Sequence, residues 1–191
     1  MSPPRPNTLT ELNTALWQEL TRAPHDKHHE WRTPVLATLD GNTADARTVV
    51  LREVDASAAT LLFYSDARAG KLAQLQAAPR GTLVLWSRRL SWQLRLRVAL
   101  SADTDGLAVA ARWAQLRLSP AAQDYLSPLP PGAEANPPAE AMAAALRTAP
   151  PERGHFAVLR ARVLSTDWLE LHRDGHRRAR FDADGARWLV P

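Results

Sequence analysis

The spacing of apolar and polar positions changes period several times along the chain, and each change marks an element. Leu9, Leu12, Leu16 and Leu20 recur at helical intervals behind Thr8 and Glu11, which have the spacing of a capping box, so an amphipathic helix is predicted over 8–22. After Pro34 a strand is predicted over 35–39, and Asp40, Gly41 and Asn42 turn it into a second strand over 46–54, a hairpin. Residues 60–65 read as a short third strand, 71–78 as a helix stopped by Pro79, and 82–86 as a fourth strand. The period of two is clearest over 90–100, where Leu90, Trp92, Leu94, Leu96, Val98 and Leu100 alternate with Ser91, Gln93, Arg95 and Arg97. A helix is predicted over 104–118, with Leu107, Ala111, Ala114 and Leu118 on one side and Trp113 near them. Five prolines make 127–138 irregular. Strands resume over 156–165, 168–172 and 178–181, and 187–190 closes the chain.

Six to eight strands at hairpin-like spacing, with a few helices outside them, predict a mainly β fold with flanking helices. The order suits an antiparallel barrel better than βαβ units. A chain of 191 residues with 45% hydrophobic content can bury one sizeable core, so 1–191 is expected to be a single domain with the excursion at 127–138. The absence of cysteine excludes disulfides, zinc fingers, iron–sulfur clusters and thiol nucleophiles. The start from Met1 to Pro6 lacks an apolar signal core and nowhere do eighteen apolar residues run together, so a cytoplasmic protein without membrane partners is expected. Net charge is +4, and 22 of the 24 basic residues are arginine, interleaved with twenty acids over the whole length. Nucleic-acid binders gather such charge on one helix or face, so nucleic acid is not the expected partner. His25, His28, His29 and Glu30 have a spacing a metal could use, but Pro24 and the local charge read as a solvated loop, and no metal is expected. Trp17, Trp31, Trp86 and Trp92 lie on different elements and read as core and interface packing.

None of the eight glycines lies within two residues of another, so the dinucleotide, P-loop and nucleophile-elbow motifs are absent. A nucleotide would have to be held by side chains and strand ends. Arg47 and Arg52 bracket Thr48, Val49, Val50 and Leu51, a β-branched run that would deliver guanidinium groups at its ends, and guanidinium matches a phosphate dianion well. Arg68 and Lys71 follow, with Tyr64 and Ser65 between. In a chain so rich in arginine, Lys71 suits a role for a compact ammonium. Any one of these alone reads as an ordinary surface charge; their order strengthens the phosphate reading. Gln93 falls on the polar face of its strand with Arg95, where it faces either a cleft or solvent.

The succession of Arg47 to Arg52, then Phe63, Tyr64, Ser65 and Asp66, then Arg68, Gly70 and Lys71, then Trp92, Gln93 and Arg95, and finally Gly175, His176, Arg177, Arg178, Arg180 and Phe181, resembles the FMN-binding split-barrel family typified by pyridoxamine 5′-phosphate oxidase. The resemblance covers about 31–101 and 156–191. It implies a Greek-key split β-barrel and a homodimer with FMN in each interface cleft. It also implies that Arg47, Thr48, Val49, Val50, Leu51 and Arg52 line the flavin and grip its phosphate, that Tyr64 and Ser65 add contacts, and that Lys71 completes the phosphate site. The family places an arginine directly before that lysine; this chain has Gly70 there, and Arg68 would stand in. Gln93 would hydrogen-bond the isoalloxazine, and Arg180 matches a flavin-contacting arginine. A flavin-facing tryptophan would fall near Trp168 or Leu169.

The departures bear more on substrate than on flavin. Where the family carries a tyrosine, an arginine and a serine for the substrate phosphate, this chain offers Trp113, Arg117 and Ala121, while a glutamine–serine pair that helps hold FMN is replaced by the proline-rich stretch around Leu129 and Pro130. The family's arginine and histidine near the C-terminus fall near His176 and Arg178. For an anionic small-molecule substrate, Arg117, His176 and Arg178 are the candidates, and no catalytic acid or base is implied. The resemblance thus implies an FMN-dependent oxidoreductase of open substrate. The alternatives are a non-catalytic FMN or vitamin B6 phosphate binder and, further off, a basic module for nucleic acid or haem.

Overall fold

Thr8 opens the first helix. In the computed structural model, which describes residues 5–127, 129–134 and 154–191, its hydroxyl accepts the Glu11 N–H at 3.2 Å while the Glu11 carboxylate accepts the Thr8 N–H at 3.3 Å. Two of the free donors at the helix start are thereby satisfied. The helix, α1 (Leu9–Arg22), buries Leu12, Leu16 and Leu20, as the spacing predicts. Nine strands follow among the described residues: β1 (Val35–Asp40), β2 (Thr43–Thr48), β3 (Leu51–Asp55), β4 (Thr60–Asp66), β5 (Arg80–Ser87), β6 (Trp92–Asp103), β7 (Phe156–Glu170), β8 (Arg177–Asp182) and β9 (Gly185–Leu189). Helix α2 (Gly70–Ala77) precedes β5 and α3 (Leu107–Leu116) follows β6.

All pairs are antiparallel, in the order β2-β1-β5-β6-β7-β4-β3, with β8 against β7 and β9 against β8. The long strand β7 sets this topology. Its first half pairs with β4 and its second half with β8, while β6 runs along nearly all of it. The sheet is antiparallel throughout with helices flanking it, the mainly β architecture the sequence predicts, and its end strands β2 and β3 do not pair with each other.

Four details differ from the sequence reading. The strand expected over 46–54 is two strands: β2 pairs with β1 and β3 with β4, at opposite ends of the sheet, so the chain must turn between them. The Val49 N–H is given to the Pro34 carbonyl at that corner. The strands expected over 156–165 and 168–172 are one, because Thr166 and Asp167 are buried and laddered rather than a break. A register shift at Arg97 and Val98 absorbs the extra residue. In α3 the expected apolar face is overturned: Leu107 is 91% and Leu118 83% exposed, and the buried stripe is Val109, Trp113 and Leu116. Finally, His29 is not solvated. Its Nδ1 accepts the Trp31 N–H and its Nε2 lies 3.0 Å from Glu19 Oε2, with the ring buried beneath α1.

The main core lies between α1 and the inner sheet face, with Trp92 edge-on to Trp168 at 5.4 Å and Trp31 beside it. Trp86 instead sits on the outer face, 44% exposed. A second cluster joins α3 and the 3₁₀ turn Pro120–Tyr125 to the other face of β4 and β7 through Trp113, Tyr125, Phe156 and Val158. β4 is therefore covered on both sides. Ser127 and 129–134 form neither helix nor strand, and the remainder of 127–138 lies outside the described residues. No helix among the described residues is long and apolar enough to cross a membrane.

Candidate functional site

Arg47 and Lys71 meet where the β1–β2 hairpin faces α2. Arg47 donates to the Thr38 hydroxyl at 2.5 Å and to Gln74 Oε1 at 3.0 Å and pairs with Asp45, while Gln74 Nε2 donates to Asp45 at 2.8 Å. Gln74 is thus the clamp that fixes Arg47. Lys71 lies three residues before Gln74 and so on the same helical side. It is half-buried and makes no hydrogen bond or ion pair among the described residues. Burial, and then the positive charge of Arg47, push its pKa below the ordinary lysine value against a weaker pull from Asp66. A partly desolvated ammonium beside a fixed guanidinium is an arrangement that an anion stabilises.

Asp66 is buried at the end of β4. Burial alone would raise its pKa, but Arg68 outweighs that and holds the carboxyl below its ordinary value. The Arg68 Nη2 lies 2.7 Å from Asp66 and also donates to the carbonyls of Ser127, at 2.9 Å, and Leu129, at 3.3 Å. Arg68 therefore ties the β4–α2 turn to the proline-rich stretch. Ser65 is buried, its hydroxyl directed to the Asp66 carbonyl at 3.2 Å.

Thr48, Val49, Val50 and Leu51 form the crossing from β2 to β3, where the side chains of Val49 and Leu51 are buried in the core. Those two can offer only backbone to a ligand. Arg52 sits at a β-bulge, between the pairs Leu51 with Phe63 and Glu53 with Leu62. Such a bulge re-aims a side chain. The Arg52 guanidinium lies 5.5 Å from the Tyr64 ring centre, and its Nε is buried without a partner among the described residues. The Tyr64 hydroxyl donates to Glu53 at 3.1 Å, and Arg112 grips the same carboxylate with two bonds of 2.7 Å. Burial, then the Glu53 charge, push the Tyr64 pKa up to about 12.

The outer face of β6, β7 and β8 carries the third group. Gln93 stands between Trp86 and Leu169 in the ladders, half-buried, with no side-chain partner among the described residues. Next to it in the ladder, Asp167 accepts from Arg95 Nη2 at 2.8 Å, from Arg178 Nε and Nη2 at 3.0 and 2.8 Å, and from Arg180 Nη2 at 3.3 Å. Burial opposes its ionisation, yet Arg178 and Arg95 hold the carboxyl below its ordinary value. A recess of about 140 Å³ opens here, lined by Thr82, Arg95, Arg97, Ser165, Asp167 and Arg180.

Most of the expected residues fall into these three groups: Arg47 with Lys71, near Arg68 and Ser65; Arg52 with Tyr64; and Gln93, Arg178 and Arg180. Two expected substrate residues stand apart. Arg117 is exposed just past α3, and His176 closes the β7–β8 turn by accepting the His172 N–H at 3.1 Å. Sequence reasoning missed Gln74, Glu53, Arg112 and Asp167. Only Asp167 left a trace, since alternation along a continuous β7 would have set it on the same face as Leu169.

Residues 13–102 match the model of the family described as pyridoxamine 5′-phosphate oxidase, FMN-binding domain. No match is found among curated proteins. Among solved structures, the chain is similar to a pyridoxamine 5′-phosphate oxidase-related, FMN binding protein from Nostoc punctiforme, with a TM-score of 0.73 and 20% identity over 93% of this chain and 96% of that one. It is also similar to PhzG from Burkholderia lata, solved in complex with tetrahydrophenazine-1-carboxylic acid, with a TM-score of 0.72 and 19% identity over 93% of this chain and 91% of that one. General Stress Protein 26 from Bacillus anthracis has a TM-score of 0.53 and 12% identity over 80% of this chain and 92% of that one. At such identities the structural likeness establishes the fold, and the family match is confined to 13–102. The chain has the fold of the pyridoxamine 5′-phosphate oxidase-related FMN-binding proteins, and its residues 13–102 match that family's FMN-binding domain.

Proposed function

We propose that this chain is an FMN-dependent oxidoreductase acting on a small anionic substrate, folded as one domain over 1–191 and working as a cytoplasmic homodimer with FMN at the interface. The observation that carries the reading is Lys71, half-buried and unpaired among the described residues, beside the clamped Arg47. The residues present fit the cofactor. Lys71 and Arg47 would hold its phosphate with Ser65, and Arg68 would join them from its place on Asp66. The backbone from Thr48 to Leu51 would flank the ring system, with Arg52 and Tyr64 beyond it and Gln93 and Arg180 hydrogen-bonding the ring edge. Bound FMN supplies hydride transfer at its N5, and the protein's part is to position, tune and exclude water.

Two features support a second copy in the assembly. Gln93 and Arg180 lie on a sheet face that also exposes Trp86. Arg117 does not meet His176 or Arg178 within one chain, so a partner is what would bring the substrate candidates together. The arginine-rich face suits a carboxylate, the class of ligand bound to PhzG in its solved complex.

A second reading, a non-catalytic binder of FMN or of a vitamin B6 phosphate, draws on α3. Trp113, at one expected phosphate-binding position, is committed to packing on Phe156 at 5.4 Å. The deciding test is anaerobic photoreduction of the FMN-loaded protein, followed by mixing with air and with candidate carboxylates and amine phosphates. Reoxidation or substrate turnover faster than free FMN supports the oxidoreductase; rates equal to free FMN support the binder.

A further inference from the structure

Asp167 is the acidic side chain that Arg95, Arg178 and Arg180 share on the β6–β7–β8 face. It is 7% exposed, and its two oxygens receive four guanidinium bonds: one from Arg95 on β6, two from Arg178 and one from Arg180 on β8. The ladder explains the convergence. Arg95 and Arg180 are the direct cross-strand neighbours of Asp167 on either side, and Arg178 lies one step further along β8 on the same face. Three cations this close repel one another, and a single buried anion at their centre both offsets that repulsion and fixes the planes of the guanidinium groups. Arg178 is held in the bidentate manner, which sets its orientation as well as its distance.

Resting on the flavin reading above, we propose that Asp167 is the positioning residue of this site: it holds Arg180 where it meets the flavin and Arg178 where it meets an anionic substrate, with Arg95 as the brace on the opposite strand. Asp167 itself touches neither. Its charge leaves the group with a net surplus of two positive charges, counted as three arginines less one aspartate. That surplus selects for an anion. Thr82 and Ser165 line the same recess and offer hydroxyls to it.

The test is a double-mutant cycle on FMN affinity, read by quenching of flavin fluorescence on full-length protein, with apo thermal unfolding as the control for folding. Asp167→Asn should raise the FMN Kd about tenfold in the wild-type background, the size of one charge-assisted hydrogen bond lost to disorder in Arg180. In an Arg180→Ala background the same substitution should change Kd less than about twofold, because residues acting through one another are not additive. A purely structural role predicts the same factor in both backgrounds and overturns the proposal. Should Asp167→Asn fail to fold, Asp167→Glu, which keeps the charge and moves it outward by one methylene, is judged by the same criterion. A wild-type protein that does not bind FMN overturns this proposal together with the flavin reading; wild-type binding with an unchanged Asp167→Asn overturns the role of Asp167 alone.

Discussion

Replacing Lys71 with methionine should move stability and cofactor affinity in opposite directions. The lysine ammonium is half-buried on α2 with no acid bonded to it among the described residues, and burial together with Arg47 disfavours its charged form. Methionine keeps the apolar stem and removes the charge. Losing a poorly solvated cation beside another should stabilise the apo-protein by roughly 0.5–1 kcal/mol, in the range of surface-charge optimisation. In a chain of this size that is a rise of about 1–4 °C in unfolding temperature. The phosphate loses a charge-assisted hydrogen bond of about 1.5–3 kcal/mol, so the FMN Kd should rise roughly 10- to 100-fold. The pH dependence follows from the direction of the shift. Between the lowered folded pKa and the ordinary value of 10.5, the unfolded chain binds more protons at this position than the folded one. The penalty from Lys71 is therefore fully present below that window and fades as pH rises through it, so the stability gap between variant and wild type should narrow there. Differential scanning calorimetry across pH and a flavin titration supply both numbers. A variant that melts below wild type, or that binds FMN equally well, refutes the reasoning.

Two further perturbations probe the side of the sheet covered by α3. Phe156→Ala removes the ring that contacts Tyr64, Trp113 and Tyr125 at 5.0, 5.4 and 5.5 Å. Urea unfolding should show a loss of roughly 3–5 kcal/mol, with amide exchange in α3 accelerating more than in β5 and β6; uniform acceleration would count against a separate cluster. Tyr64, with its pKa raised to about 12, keeps its proton in the folded state after an unfolded tyrosine, near 10, has lost it. Its contribution is thus present below pH 10 and is lost as pH rises toward 12. Tyr64→Phe should flatten that limb of the stability profile, and coincident profiles for the two proteins would rule the assignment out.

The parts of the fold that were legible in the sequence rest on local physics. The capping box at Thr8 and Glu11 acts within one turn, and the alternation over 90–100 reports a strand with one face in the core. What stayed hidden was set by distant partners. The run from Arg47 to Arg52 is equally strand-like throughout, and only the separate pairing of β2 with β1 and β3 with β4 breaks it. Thr166 and Asp167 look like an interruption because their burial is offset by Arg95, 72 residues away, and by arginines on β8. In α3 so many positions are alanine or another apolar residue that periodicity could not choose a face, and the large Trp113 did. His29 reads as solvated until α1 brings Glu19 against it. In the candidate site, Arg47 and Lys71 could be picked out as residue types, whereas the clamp by Gln74 depends on how α2 docks on β1.

The flavin site itself is tested most directly by an absorbance titration of the purified protein with FMN, repeated on Arg47→Ala and Lys71→Ala. The expected result is saturable binding near one flavin per chain, with perturbed visible bands, weakened in both variants while their far-ultraviolet circular dichroism is unchanged. A protein whose spectrum with FMN is the sum of its parts, or wild-type affinity in both variants, would contradict it.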